Sequence, residues 1–264
     1  MWKITSAILQ KLSTHIYAME EPQVPFRPFL LLTARLILIP TPIAIAIPSY
    51  RALYASLHAD PVFCGMGFGP SFGTRAWSDD ETREVIHTRD IMRCWEPRGL
   101  GDFAVGIRPK GLDTDVGQPL NEQLQIHMVQ GDEYTHLVGD EHLWLHQEQI
   151  EWAGYAGVRD ATTTSMPART ADDLPLPSWK EMVELRYGVA PAWWGKGIAR
   201  AAAEAVMQWA ASERDVRRFI AETERENVRS ARVLEKMGFT LSGTEYWKEP
   251  CEVEWERRVE QAVK

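Results

Sequence analysis

The sequence predicts a mixed α/β fold in one elaborated domain, and three observations carry that prediction. The chain has 264 residues, 45% hydrophobic and 25% charged, which is ordinary globular composition with enough length to bury a core. An alternating stretch, Met182 to Val189, runs through Pro191 and a glycine turn directly into a patterned helix starting at Ile198. A further strand, Arg218 to Glu222, then leads to a second helix, Ser230 to Met237, closed by Gly238.

The elements follow in order. Residues 1–19 lack Asp, Glu and Arg and carry Ile8, Leu12 and Ile16 at helical spacing, so residues 1–28 read as an extension whose amphipathic helix packs on the domain, with organelle targeting the lesser alternative. The apolar stretch Phe29 to Ile47 is broken by Arg35, Pro40 and Pro42 and is too short to span a membrane, whereas Leu36 to Ile39 suits a short buried strand. Tyr50 to Asp60 and Asp79 to Trp95 read as helices, the second with Ser78 and Glu81 as a capping box. Between them Cys64 to Gly73, with its GMGFG, reads as a substrate-lining or mobile loop, since its spacing is not that of a phosphate fingerprint. Asp102 to Arg108 and Ile150 to Val158 read as strands. The polar residues between them form an insertion at 111–149, and Ala161 to Ser178 is a second loop.

Charge and cysteines narrow the function classes. With 29 basic and 37 acidic side chains the formal charge is −8, which argues against nucleic-acid or anionic-membrane partners. Cys64, Cys94 and Cys251 are dispersed and odd in number, so they read as buried thiols of a cytoplasmic protein. His142 and His146 have a ligand-like spacing, but HLWLH lacks the Glu of HExxH, and an alternating strand with Leu143 and Leu145 is the plainer reading; no metal is expected.

The helix from Ile198 places Ile198, Ala201, Ala202, Ala205, Val206, Trp209 and Ala210 on one face. A strand, a glycine turn and a helix start in succession aim backbone N–H groups and the helix dipole at an anion, naturally a phosphate. Neither a Walker A loop nor a Rossmann fingerprint is present.

VAPAWWGKGIARAAAEAV followed by ENVRSARVLEKMGF resembles the acetyl-CoA-binding core of the Gcn5-related N-acetyltransferase (GNAT) superfamily, in the branch that holds the ribosomal-protein N-terminal acetyltransferases and many small-molecule acetyltransferases. TARLILIP, Thr33 to Pro40, is similar to that branch's opening strand. The resemblance implies a twisted, mostly antiparallel sheet of about seven strands flanked by helices, within a domain at 29–264, with the strands ending at Val189 and Glu222 splayed and Gly188 as the bulge that starts the splay. It implies that Val189 and Ala190 meet the pantetheine and thioester of acetyl-CoA. Trp194, Gly195, Lys196, Gly197, Ile198 and Ala199 would cradle the pyrophosphate, and Asn227 would bond the pantetheine arm as well as, or instead of, merely capping a helix. Ala192 departs from the superfamily's Gln or Arg, which removes one side-chain contact and leaves the backbone cradle.

The implied reaction is transfer of an acetyl group to a primary amine by direct attack in a ternary complex. An alkyl ammonium with a pKa near 10 must lose a proton, an oxyanion must be stabilised and a thiolate must leave. Glu184, on the strand before the turn, is the first choice of base, against an ion pair with Arg186 or a surface carboxylate; Glu222 is the second choice. The backbone N–H of Val189 or Ala190 would polarise the carbonyl. The tyrosine that many members carry in the second motif is here Leu234, and Ser230 resembles a serine proposed to protonate the thiolate, against an ordinary first-turn helix serine.

The acceptor is read as a small-molecule amine. Trp95, Trp144, Trp152 and Trp179, among eleven tryptophans, fall in or beside the loops expected to wall its pocket, and the insertion would narrow an open groove. Protein N-terminal acetylation and a non-catalytic acetyl-CoA sensor or scaffold are the alternatives.

Overall fold

The computed structural model describes residues 25–69, 73–112, 116–139, 142, 144–145, 150–173, 175–244, 246 and 251–259. The expected N-terminal helix lies almost wholly outside the described residues, as does His146.

Among the described residues ten strands form one sheet. They are β1 (Phe29–Leu32), β2 (Leu36–Pro40), β3 (Asp102–Ile107), β4 (Gln118–Asn121), β5 (Ile126–Gln130), β6 (Trp152–Asp160), β7 (Val183–Val189), β8 (Arg218–Glu224), β9 (Thr240–Leu241) and β10 (Glu252–Arg258). Their spatial order is β4-β5-β1-β2-β3-β6-β7-β8-β10-β9, and every neighbouring pair is antiparallel except β7 and β8. The extra strands beyond the seven expected have visible origins. The opening strand folds back at Thr33, whose hydroxyl accepts from the N–H groups of Arg35 and Leu36, so β1 and β2 form a hairpin. The insertion supplies β4 and β5, and β5 pairs with β1 along Phe29 to Leu32.

Six helices of eight or more residues cover the sheet among the described residues: α1 (Pro48–Ala59), α2 (Pro61–Phe68), α3 (Asp79–Ile86), α4 (Gly131–Val138), α5 (Ile198–Arg214) and α6 (Val228–Lys236). The capping box at Ser78 and Glu81 starts α3, which continues as a π-helical stretch, His87–Trp95, and a last turn, Glu96–Arg98. Both faces of the sheet are covered, which is why β1 and β2 are unbroken apolar runs. On one face α5 buries Ile198, Ala202, Val206 and Trp209 against Leu31, Leu38, Phe103 and Leu185. On the other, α1, α3 and α4 bury Tyr50, Leu57, Ile86 and Tyr134 against Leu30, Ile37, Ile39 and Tyr155.

Three local expectations need correction. GMGFG is not a loop: the Asp60 side chain accepts from the N–H groups of Val62 and Phe63, Pro61 takes the first helical position, and α2 forms in spite of its glycines. His142 does not alternate along a strand; it has φ +56° and bonds Tyr134 at 2.6 Å, and Trp144 and Leu145 are helical. Cys64 and Cys94 are buried, but Cys251, at the β10 edge, is exposed.

Candidate active site

The strand pair at the centre of the sheet makes the opening. β7 and β8 are in register only at Val183↔Phe219 and Glu184↔Ile220, yet β7 runs on to Val189 and β8 to Glu224. Beyond Glu184 the two strands part, and a cleft of about 670 Å³ lies beside them. Gly188 is not a bulge, because β6 and β7 stay in register from Asp160↔Val183 to Gly154↔Val189. It is instead a point of close approach: a Cβ there would lie 2.6 Å from Tyr155 Cζ and 2.7 Å from Phe63 Cζ. Gly188→Ala is therefore expected to cost about 1–3 kcal/mol by overpacking, lowering the melting temperature by several degrees.

The pairing also fixes where the free backbone donors point. Ala190 donates its N–H to Ala153 O at 2.8 Å, so that group is already committed. Successive N–H groups on a strand point to opposite sides, so the Val189 N–H points toward the parted β8. Of the two expected polarising groups, Val189 is the one with its donor toward the cleft. The Val189 carbonyl accepts from Trp194 Nε1 at 2.6 Å.

At the far end of β7 the glycine turn has the predicted form. Gly195 and Gly197 have φ of +73° and +77°, and a Cβ at either would meet nothing within 4 Å. Gly197 caps α5 without a side chain, leaving the N–H groups of the first turn free of intrahelical partners. The turn is steadied by Arg35, which donates to Lys196 O at 3.1 Å, and the Lys196 ammonium sits 4.5 Å from the Trp193 ring centroid. Open space in front of unpaired amides at the N-terminus of a 17-residue helix fits a phosphate group. Arg200, Arg229, Arg232 and Lys236 line the same cleft, which suits the remaining phosphates of coenzyme A. These four were missed from the sequence, although Arg229, Arg232 and Lys236 recur at the spacing of one helix face.

Val189, Trp194, Gly195, Gly197, Ile198, Ala199, Asn227 and Ser230 all line the cleft; Ala190 and Lys196 adjoin it in sequence without lining it. Asn227 does cap α6, accepting from Ser230 N at 3.1 Å, and its Nδ2 also donates to Met66 O on α2 at 2.8 Å. α2 thus reaches across the parted strands. Phe63 packs over Gly188 on β7, Met66 is tied to Asn227, and Gly69 lies against the Glu224 carboxylate of β8.

Glu184 stands apart from the cleft lining. It is 7% exposed and faces Arg159 across β6, which donates to both its oxygens at 2.9 and 2.8 Å; Ser165 also donates to it. Burial alone would raise its pKa, but the Arg159 charge and these hydrogen bonds outweigh burial and hold it below the usual carboxylate range. The ion pair foreseen with Arg186 is made with Arg159 instead, and Arg186 lies 3.5 Å from Asp102.

Glu222 shows the opposite behaviour. Burial, a hydrogen bond shared with Glu252 and the nearby Glu184 and Glu254 push its pKa well above the usual range, and its Oε1 is buried without a partner. A raised acid in the folded state means that stability is lost as pH rises from the unfolded value, near 4.3, through the folded one. Glu222→Gln is expected to melt higher than the parent at pH 8 and at the same temperature at pH 4.

The aromatic wall on the acceptor side is not the one foreseen. Trp95 packs with Phe29, Phe103 and Trp209 in the core under α5, Trp152 bonds Ser49 Oγ beneath α1, and Trp179 lies against Arg98. Phe63, Phe68 and Tyr155 line the cleft together with Tyr187, Trp193 and Trp194, and Tyr54, His58 and Trp77 pack against the first three or one another. Tyr54 and His58 sit on α1, Phe63 and Phe68 on α2 and Tyr155 on β6, with Trp77 just ahead of α3, and the approach of these elements depends on packing and is invisible in spacing. Leu234 is fully buried and does not line the cleft.

The sequence model of the acetyltransferase (GNAT) domain family matches residues 44–240, and the chain belongs to that family. It is an acyltransferase by family. Solved structures of similar fold include an acetyltransferase from Agrobacterium tumefaciens, at 20% identity and TM-score 0.52, covering 90% of this chain and 99% of that one. RimL, a ribosomal L7/L12 alpha-N-protein acetyltransferase, matches at 16% identity and TM-score 0.50 over 90% and 99% of the two chains. AAC(6')-Ib in complex with ribostamycin and coenzyme A matches at 11% identity and TM-score 0.50 over 88% and 93%. Among the described residues no group of three or more His, Cys, Asp or Glu is placed to hold a metal, and no helix is long and apolar enough to cross a membrane.

Proposed function

We propose that the chain acetylates the primary amine of a small molecule, in a ternary complex with acetyl-CoA. The observation that carries the small-molecule reading is α2: tied to β7 through Phe63, to α6 through Asn227 and to β8 through Gly69, it bridges the parted strands where a polypeptide acceptor would need an open groove. The adjoining aromatic rings favour a compact amine over an extended backbone.

In this reading the turn Trp194 to Ala199 holds the pyrophosphate, Val189 and Ala190 border the pantetheine and thioester, and Asn227 keeps its bond to Met66 and turns the second hydrogen of Nδ2 to the pantetheine. The Val189 N–H polarises the thioester carbonyl. Glu184, kept anionic by Arg159, takes the ammonium proton through water, because it does not border the cleft. Ser230 donates to the leaving sulfur. The reduced Cys64 and Cys94 suit a cytoplasmic setting.

Isothermal titration with acetyl-CoA and desulfo-CoA, followed by thiol release over amines, amino acids and short peptides, tests the proposal. Micromolar binding with release on small amines is the expected result. Preference for peptides would move the acceptor to a protein N-terminus, and binding without turnover on any acceptor would leave a sensor or scaffold.

A further inference from the structure

A thiolate leaving group needs hydrogen-bond donors at the point where charge collects on sulfur. That point lies beside Val189 in the proposed reading, on which this inference rests. The side-chain donors bordering the described cleft are mostly committed elsewhere. Trp194 Nε1 is given to Val189 O and Asn227 Nδ2 to Met66 O. The Tyr155 hydroxyl is engaged with Arg186 on the opposite face of β7. Arg229 stacks 4.7 Å over the Trp194 ring, at the phosphate end.

Tyr187 remains. It precedes Gly188 on β7, so its side chain shares a face with Val189 and leans toward α6 rather than toward Phe63 and Tyr155. It lines the cleft half-buried, and its hydroxyl donates to the Ser230 backbone carbonyl at 3.5 Å, the outer limit of a hydrogen bond. A donor held this loosely can turn to a stronger acceptor at little cost. Ser230, whose carbonyl takes that bond, lines the same cleft and carries a second hydroxyl.

We propose that Tyr187 is a catalytic residue whose hydroxyl, together with that of Ser230, hydrogen-bonds the departing coenzyme A thiolate. As the amine attacks, the N–C bond forms, the C–S bond breaks and its electron pair stays on sulfur. The proton shed by nitrogen passes to the base and then to water, and the sulfur anion is held by the two hydroxyls until solvent protonates it. Burial pushes the Tyr187 hydroxyl up to about 12, with the bond to Ser230 acting in the other direction, so the group stays a neutral donor at any working pH.

The test needs no acceptor. Coenzyme A is bound to the protein and to Tyr187→Phe, and the bound thiol is titrated by its thiolate ultraviolet absorbance, with the desulfo-CoA complex of each protein as the blank. The bound thiol is expected to titrate below that of free coenzyme A in the parent and about one unit higher in Tyr187→Phe, a tenfold loss of thiolate stabilisation. On any amine that the parent acetylates, kcat of the variant should fall about 10- to 100-fold with KM for acetyl-CoA within about twofold. A merely structural tyrosine would shift desulfo-CoA affinity and leave the bound thiol titrating as in the parent, and that result overturns the proposal. Failure of the parent itself to bind coenzyme A would instead bring down the acetyl-CoA reading of the cleft.

Discussion

Glu184→Gln is expected to lower kcat about 10²- to 10³-fold while leaving desulfo-CoA binding intact, and to lower stability by about 2 kcal/mol. Both effects come from one carboxylate. Its pair with Arg159 has side-chain exposures of 22% for Arg159 and 10% for Glu184, so removing the anion strands a mostly buried guanidinium, with some relief because Arg159 keeps contact with water. Because the Glu184 pKa is depressed in the folded state, the ion-pair stability is present above the unfolded carboxylate value and lost as pH falls through the folded one. The gap in melting temperature between parent and variant should therefore close below about pH 4. The two effects separate in Arg159→Leu/Glu184→Leu, where an apolar pair replaces the ionic one. Stability is expected to recover there and turnover to stay lost; recovered turnover would reduce Glu184 to a structural partner of Arg159.

The uneven legibility of this chain has a physical origin. The cradle at 194–199 and the cap at Asn227 do their work with backbone amides, and a backbone function leaves a local trace: glycines at positive φ, a helix start, a capping side chain. The partners of Glu184 leave no such trace. Arg159 is 25 residues away, and it meets Glu184 only because β6 and β7 pair in one particular register. α2 was hidden for a different reason, since two glycines within eight residues oppose a helix by about 1 kcal/mol each, and the opposing signals, Asp60 as cap and Pro61 at the first position, are single residues. β10 reads EVEWERR with only Trp255 buried, so it shows almost no alternation; its place is set by the exposed edge of β8, which pairs with it at seven positions. The strand period puts Tyr187 on the face of Val189, but its relation to Ser230 is tertiary.

Gly197→Ala tests the phosphate cradle itself. With φ at +77°, Gly197 occupies a conformation that costs an L-residue about 1–2 kcal/mol, so the ligand-free variant should melt a few degrees lower. The added methyl group would meet no protein atom within 4 Å, so it projects into open space rather than into a neighbour. If that space receives the pyrophosphate, the methyl group and the phosphate compete for it, and the amides of the first turn can no longer converge on the anion. Desulfo-CoA affinity is then expected to fall about 10- to 100-fold, far more than the modest loss of stability would cause. The stabilisation produced by excess ligand, read from the thermal shift, should shrink by about 1.4 kcal/mol for each tenfold loss at fixed ligand concentration. A variant that melts lower but binds desulfo-CoA within twofold of the parent would mean that the glycine serves only the turn, and that the phosphates lie against Arg229, Arg232 and Lys236 without help from the helix.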